Sequence, residues 1–150
     1  MYSNYTIVTN KIYNIVSTIF YSLTASIGNL IVKESQERRY EIFQIMQSIS
    51  LTLSTFCLTC LLFLQEDFIR IWLGDNFVMD RMILYAMLTN FYFSIILMPI
   101  WVFREATGLY RKTKYVMLGT AAINIAVSIV LGKVMGLAGI IFAPSISRLT

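Results

Sequence analysis

Lys11, Asn14, Thr18, Ser22, Ser26 and Asn29 recur at intervals of three or four residues in an otherwise apolar stretch. At about 100° per residue such a set falls on one side of a helix. Gln44, Ser48, Thr52, Thr55 and Thr59 form a second set of the same kind. Two shorter sets follow, Thr89, Asn90 and Ser94, then Thr120, Asn124 and Ser128. Hydrogen bonding, rather than bond making, is the chemistry open to these groups. Amides and hydroxyls at apolar depth either bond across helices or line a passage that holds water or a polar solute. Both readings stand for the stripes as a class, and two long ones on adjacent helices favour a polar passage.

Two cations also fall inside apolar stretches. Lys11 lies about 9 Å into the first one, at 1.5 Å per residue, from where it can snorkel to the interface. Arg148 lies about 17 Å past Leu137 if that helix is continuous. A guanidinium at such depth is costly and normally faces a cavity or a partner. Pro99 and Pro144 each remove a helix hydrogen bond. Pro99 is read as helping to end its helix and Pro144 as a site for a kink.

Other chemistry is missing. The chain contains no histidine, which removes imidazole acid–base catalysis and the usual metal sites. Cys57 and Cys60 form a C-x-x-C pair in an apolar helix. With no further Cys or His they cannot complete a tetrahedral zinc site, so they read as inert buried thiols. No P-loop or dinucleotide fingerprint occurs. The carboxylates sit between apolar stretches beside basic residues, with no pair placed for acid–base work. The reading is therefore not an enzyme, with no cofactor and no metal.

The elements that must carry these stripes are membrane spans. Of 150 residues, 57% are hydrophobic and 13% charged, against about 25% charged in soluble domains; mean hydropathy is +0.70. Crossing a hydrocarbon core takes about 20 helical residues. Apolar segments at about 5–32, 42–64, 82–103 and 115–132 predict four spans, and 137–150 a fifth that stops short. The predicted fold is an all-α polytopic transmembrane bundle in a single region. Both ends read as truncations, because the chain opens on a helix start and closes within a span. Connections are predicted at 33–41, 65–81, 104–114 and 132–136, the last a tight turn. In the second, Trp72 is placed as an interfacial anchor.

Ten of the twelve Lys and Arg behind the net charge of +4 fall in these connections, and no basic stripe suited to nucleic acid is present. Lys33, Arg38, Arg39, Arg104, Arg111, Lys112 and Lys114 fall in two connections that alternate with two poorer ones, which carry Arg70, Arg81 and Lys133. By the positive-inside rule, 33–41 and 104–114 are expected on the cytoplasmic side of a bacterial inner membrane.

Three stretches carry a family resemblance. The opening YSNYTIVTNKIYNIVSTIFYSLTASIGNLIVKES, then FIRIWLGDNF, then FREATGLYRKTKYVMLGTAAINIAVSIVLGKVMGLAGIIFAPSISRL resemble, in order, segments of the Wzx-type oligosaccharide flippases. These are the polysaccharide transporter branch of the MATE-like exporter superfamily. The resemblance runs over nearly the whole chain and implies most of the second lobe of a two-lobe transporter, lacking the N-terminal lobe. It implies export of undecaprenyl-diphosphate-linked oligosaccharide, of the O-antigen or capsule kind, by alternating access. The expected partners are that lipid-linked oligosaccharide, membrane lipids and the missing lobe. By their positions in the spans, Lys11 and Arg148 are the candidates for the diphosphate, and Asn14, Asn29 and Asn124 for sugar. The alternatives are a cation-coupled drug exporter of the same superfamily, for which a mid-span carboxylate is expected and absent, and a non-transporting assembly subunit.

Overall fold

The computed structural model describes residues 2–108 and 110–148, side chains at 110–114 excepted. The expected span end at Thr150 therefore lies outside the described residues, as do the side chains of Arg111, Lys112 and Lys114. Among the described residues seven α-helices occur in the order α1 (Tyr2–Ser22), α2 (Thr24–Lys33), α3 (Gln36–Leu73), α4 (Arg81–Ile96), α5 (Met98–Thr107), α6 (Tyr110–Met135) and α7 (Leu137–Ser147), with a short 3-10 turn at Asp75–Phe77. The described residues form no strand. Taking α1–α2 and α4–α5 as bent single spans, four helices among the described residues are long and apolar enough to cross a membrane, with α7 a shorter apolar helix. The all-α bundle of a multi-pass membrane protein is thus the architecture.

The connections are shorter than the charge clusters implied. Between α2 and α3 only Glu34 and Ser35 are non-helical; Ser35 caps α3 by accepting from the Arg38 amide at 3.4 Å. Residues 65–73, expected as loop, continue α3 because no Gly or Pro interrupts them before Gly74, whose φ of 96° ends the helix. At 1.5 Å per residue α3 is about 57 Å long, well beyond a hydrocarbon core. Charges along its last turns pair on the surface, Arg70 with Glu66, Asp67 and Asp75. Likewise α5 runs on through Arg104 to Thr107, and α6 runs through 132–135, leaving Gly136 (φ 61°) alone as the turn into α7.

Gln65 shows why α3 extends inward rather than ending at the surface. It is buried, and its side-chain amide donates to the Tyr5 carbonyl at 3.0 Å. The Tyr5 hydroxyl accepts from the Met79 amide at 3.3 Å. One fully buried tyrosine thus ties the start of α1 to α3 and to the segment before α4.

Pro99 does not end its helix. The break falls at Leu97, Pro99 stands in the first turn of α5, and the helix continues for eight more residues, to Thr107. A first-turn proline costs little, since its missing amide hydrogen has no partner there anyway. It leaves the carbonyl of Ile95 without its usual donor, and α3 supplies one. Ser50 Oγ donates to that carbonyl at 2.6 Å, and Gln47 Nε2 donates to the carbonyl of Ile96 at 3.1 Å. Neighbouring helices commonly restore backbone groups freed in this way. The core follows the same contact: Leu84, Leu88, Phe91, Ile95, Met98 and Val102 are buried in one continuous cluster.

The α6–α7 hairpin closes on small residues. A Cβ at Gly139 would stand 2.1 Å from the Leu131 carbonyl oxygen, so only glycine permits this approach. Through α7 the hairpin docks on α4.

Candidate functional site

The polar residues divide into two groups with opposite surroundings. Lys11, Asn14, Thr18, Ser22, Ser26 and Asn29 are all exposed. They lie on the side of α1–α2 away from the buried Tyr5, Thr9, Val16, Phe20 and Ile27. Gln44, Ser48, Thr52, Thr55 and Thr59 are exposed as well, while Met46, Ser50, Ser54, Leu61 and Gln65 face the core. The outward hydroxyls bond only within their own helix. Thr18 donates to the Asn14 carbonyl at 2.7 Å, Thr52 to Ser48 at 2.9 Å, Thr55 to Leu51 at 2.8 Å and Thr59 to Thr55 at 2.9 Å. Within the described chain, neither long stripe is glue between helices.

The shorter sets behave differently. Asn90 on α4 donates through Nδ2 to the Ile141 carbonyl on α7 and accepts from Ser145 Oγ at 2.8 Å. Ser94 Oγ donates to the Asn90 carbonyl at 2.7 Å and accepts from Arg148 Nη1. Asn124 on α6 donates to Ser147 Oγ at 3.1 Å and accepts from Ser128 Oγ at 3.1 Å. These groups do bond across helices, around the Pro144 turn of α7.

A cavity of about 300 Å³ opens between α1, α4 and α7. Its polar wall is Thr6, Asn10, Tyr13, Asn90, Ser94 and Arg148. Arg148 follows Ser147, the last residue of α7, and is exposed. Its Nη1 donates to Ser94 Oγ and no ion pair with a described residue forms, which leaves its other guanidinium donors for an anion. Planar guanidinium donors match phosphate oxygens bidentately.

Of the five candidate binding residues Lys11, Asn14, Asn29, Asn124 and Arg148, Arg148 alone lines this cavity. Lys11 and Asn14 point the other way from α1, and Asn29 is exposed on α2. Asn124 is half-buried and already bonded to Ser147 and Ser128. The structure therefore does not bring Lys11 and Arg148 to one site. Asn10 and Tyr13 line the cavity although sequence reasoning passed over both, because they fall off the polar stripe that drew attention to α1. Asn90 and Ser94 carried the four-residue spacing that pointed to them. Cys57 and Cys60 are unpaired and half-buried, and no group of metal-ligating side chains forms among the described residues.

Compared with family models, curated proteins and solved structures, the chain matches none.

Proposed function

We propose that the chain forms most of one lobe of a flippase that moves undecaprenyl-diphosphate-linked oligosaccharide from the cytoplasmic to the outer leaflet. The observation that carries this reading is the pair of outward polar stripes on α1–α2 and α3. Eleven amide, hydroxyl and ammonium side chains at span depth have no partner helix in the described chain. Lipid tails offer them nothing, so a second lobe or a water-filled passage must cover them. Two lobes that rock against each other enclose such a passage between them and expose it to either side in turn.

In this reading Asn14, Asn29 and the threonines of α3 meet the sugar unit, and Lys11 lies on the same passage wall. Arg148, beside its polar cavity, holds a phosphate. The basic connections at 33–41 and 104–114 face the cytoplasm, by the positive-inside rule. A non-transporting subunit whose stripes seal against a partner is the second reading, supported by the same outward faces. The two part on Arg148. In cells whose oligosaccharide export depends on this chain, Arg148→Ala should lower surface polysaccharide at least about tenfold, the loss of one charge-assisted bidentate contact. Arg148→Lys should restore it in part, since lysine keeps the charge without the fork. Normal export by Arg148→Ala, at equal protein level, rejects the phosphate role.

A further inference from the structure

A second, larger cavity of about 790 Å³ lies between α5, α6 and α7. Its walls are mainly apolar, with Leu97, Ile100, Val116, Met117 and Ile125 among them. Arg104 stands in it on the last turn of α5. Its guanidinium lies 3.9 Å from the centre of the Trp101 ring, and Nη1 meets only the Met117 thioether, at 3.5 Å. Nε is buried without a hydrogen-bond partner. No carboxylate lines the groove, and Arg104 forms no ion pair with a described residue. Arg148 reaches the groove from the far end, but its Nη1 is engaged by Ser94. An arginine held in place and left without an anion, at one end of an apolar trough, matches an anionic headgroup with a hydrocarbon tail.

The groove's position selects among anionic amphiphiles. Of the helices, α6 is the least covered: none of its most apolar window is buried. Val116, Met117 and Ile125 are exposed and line the groove, and Leu118 and Ile129 are exposed on the same helix, the surface of a helix that meets lipid. The two long polar stripes lie on other helices, α1–α2 and α3, although Thr120 and Asn124 of α6 add polar atoms to the groove wall. From this we infer that the groove binds an anionic phospholipid of the surrounding bilayer. Its phosphate sits on Arg104 and one acyl chain runs along Leu97, Ile100 and Ile125 toward the membrane interior. Basic pockets between spans are known to take anionic headgroups. The inference requires only that the helices span a membrane, and stands or falls apart from the transport reading.

Trp101 reports on the groove directly. With Trp72→Phe it is the only tryptophan of the chain. The purified full chain is placed in phosphatidylcholine nanodiscs that contain, at equal mole fraction, either phosphatidylglycerol or phosphatidylcholine dibrominated near the headgroup. Brominated phosphatidylglycerol should quench Trp101 more strongly, with an apparent preference of about fivefold, the worth of one basic residue at the membrane surface. Arg104→Gln should abolish that preference, and Arg39→Gln, which changes net charge equally, should leave it. Ala121→Phe, which fills the groove and keeps both arginines, should abolish it too and serves if Arg104→Gln does not fold. Millimolar inorganic phosphate or pyrophosphate should not displace the lipid. Equal quenching by the two brominated lipids, a preference that survives Arg104→Gln or Ala121→Phe, or displacement by either free anion would overturn the inference.

Discussion

Ser50 and Thr52 stand two residues apart on α3 and have opposite fates. Ser50 is fully buried and donates across to the carbonyl that Pro99 leaves open. Thr52 is exposed and bonds only to Ser48, one turn back on its own helix. The same contrast separates whole regions. Around α4, α6 and α7, Asn and Ser side chains join helices to one another, and on the outer faces of α1 and α3 similar side chains reach no other helix. Residue type and spacing are alike in the two regions. The difference lies in whether a broken or closely approaching backbone stands opposite, which the intervals along one helix do not encode.

The largest effect is expected where the inward region is tightest. Gly139→Ala drives a Cβ into the Leu131 backbone, 2.1 Å from its oxygen. Relief requires separating α6 from α7, at a cost of about 3 kcal/mol. Gly119→Ala, which meets nothing within 4 Å, should cost less than about 0.5 kcal/mol. Reversible unfolding in mixed micelles compares the two, and equal losses would show that the α6–α7 approach is not close.

A smaller difference is expected between Ser50→Ala and Thr52→Ala. The first leaves the Ile95 carbonyl buried without its donor and should cost about 1–2 kcal/mol. The second removes a hydroxyl that bonds its own helix, and should change stability by less than about 0.5 kcal/mol. Asn90→Leu belongs with Ser50, at about 1 kcal/mol, because the Ile141 carbonyl and Ser145 both lose their partner. If Thr52→Ala proves as costly as Ser50→Ala, the outward stripe already has a partner within this chain.

Much of the architecture was legible in the sequence. Apolar runs of spanning length give the number and order of the spans, and the turn expected at 132–136 falls at Gly136, but the breaks at Leu23 and Leu97 inside two spans were not legible. Element ends were less legible. Charge clusters such as 65–73 read as loop, yet a helix continues through charged residues once it leaves the hydrocarbon, and only Gly74 stops α3. The stripes were legible as stripes, but their direction was not. The same applies to Arg104, which reads as one of several loop cations and becomes distinctive only when Trp101 and Met117 enclose it. Gln65 reads as the first residue of a connection, and its burial depends on Tyr5, sixty residues earlier.

The central claim is that the outward stripes of α1 and α3 line a water-filled passage. Single cysteines at Asn14, Thr18 and Thr52, and at Ile15 and Ile19 as neighbours, test it in a Cys57→Ala, Cys60→Ala background. All five native side chains are exposed in this chain, so only the surroundings in the membrane can distinguish them. A small hydrophilic thiol reagent added to intact membranes should modify the cysteines at Asn14, Thr18 and Thr52, which line water, and leave those at Ile15 and Ile19, which face lipid, unmodified. Equal protection at all five positions would contradict a water-filled passage and place these stripes against lipid or a dry partner helix.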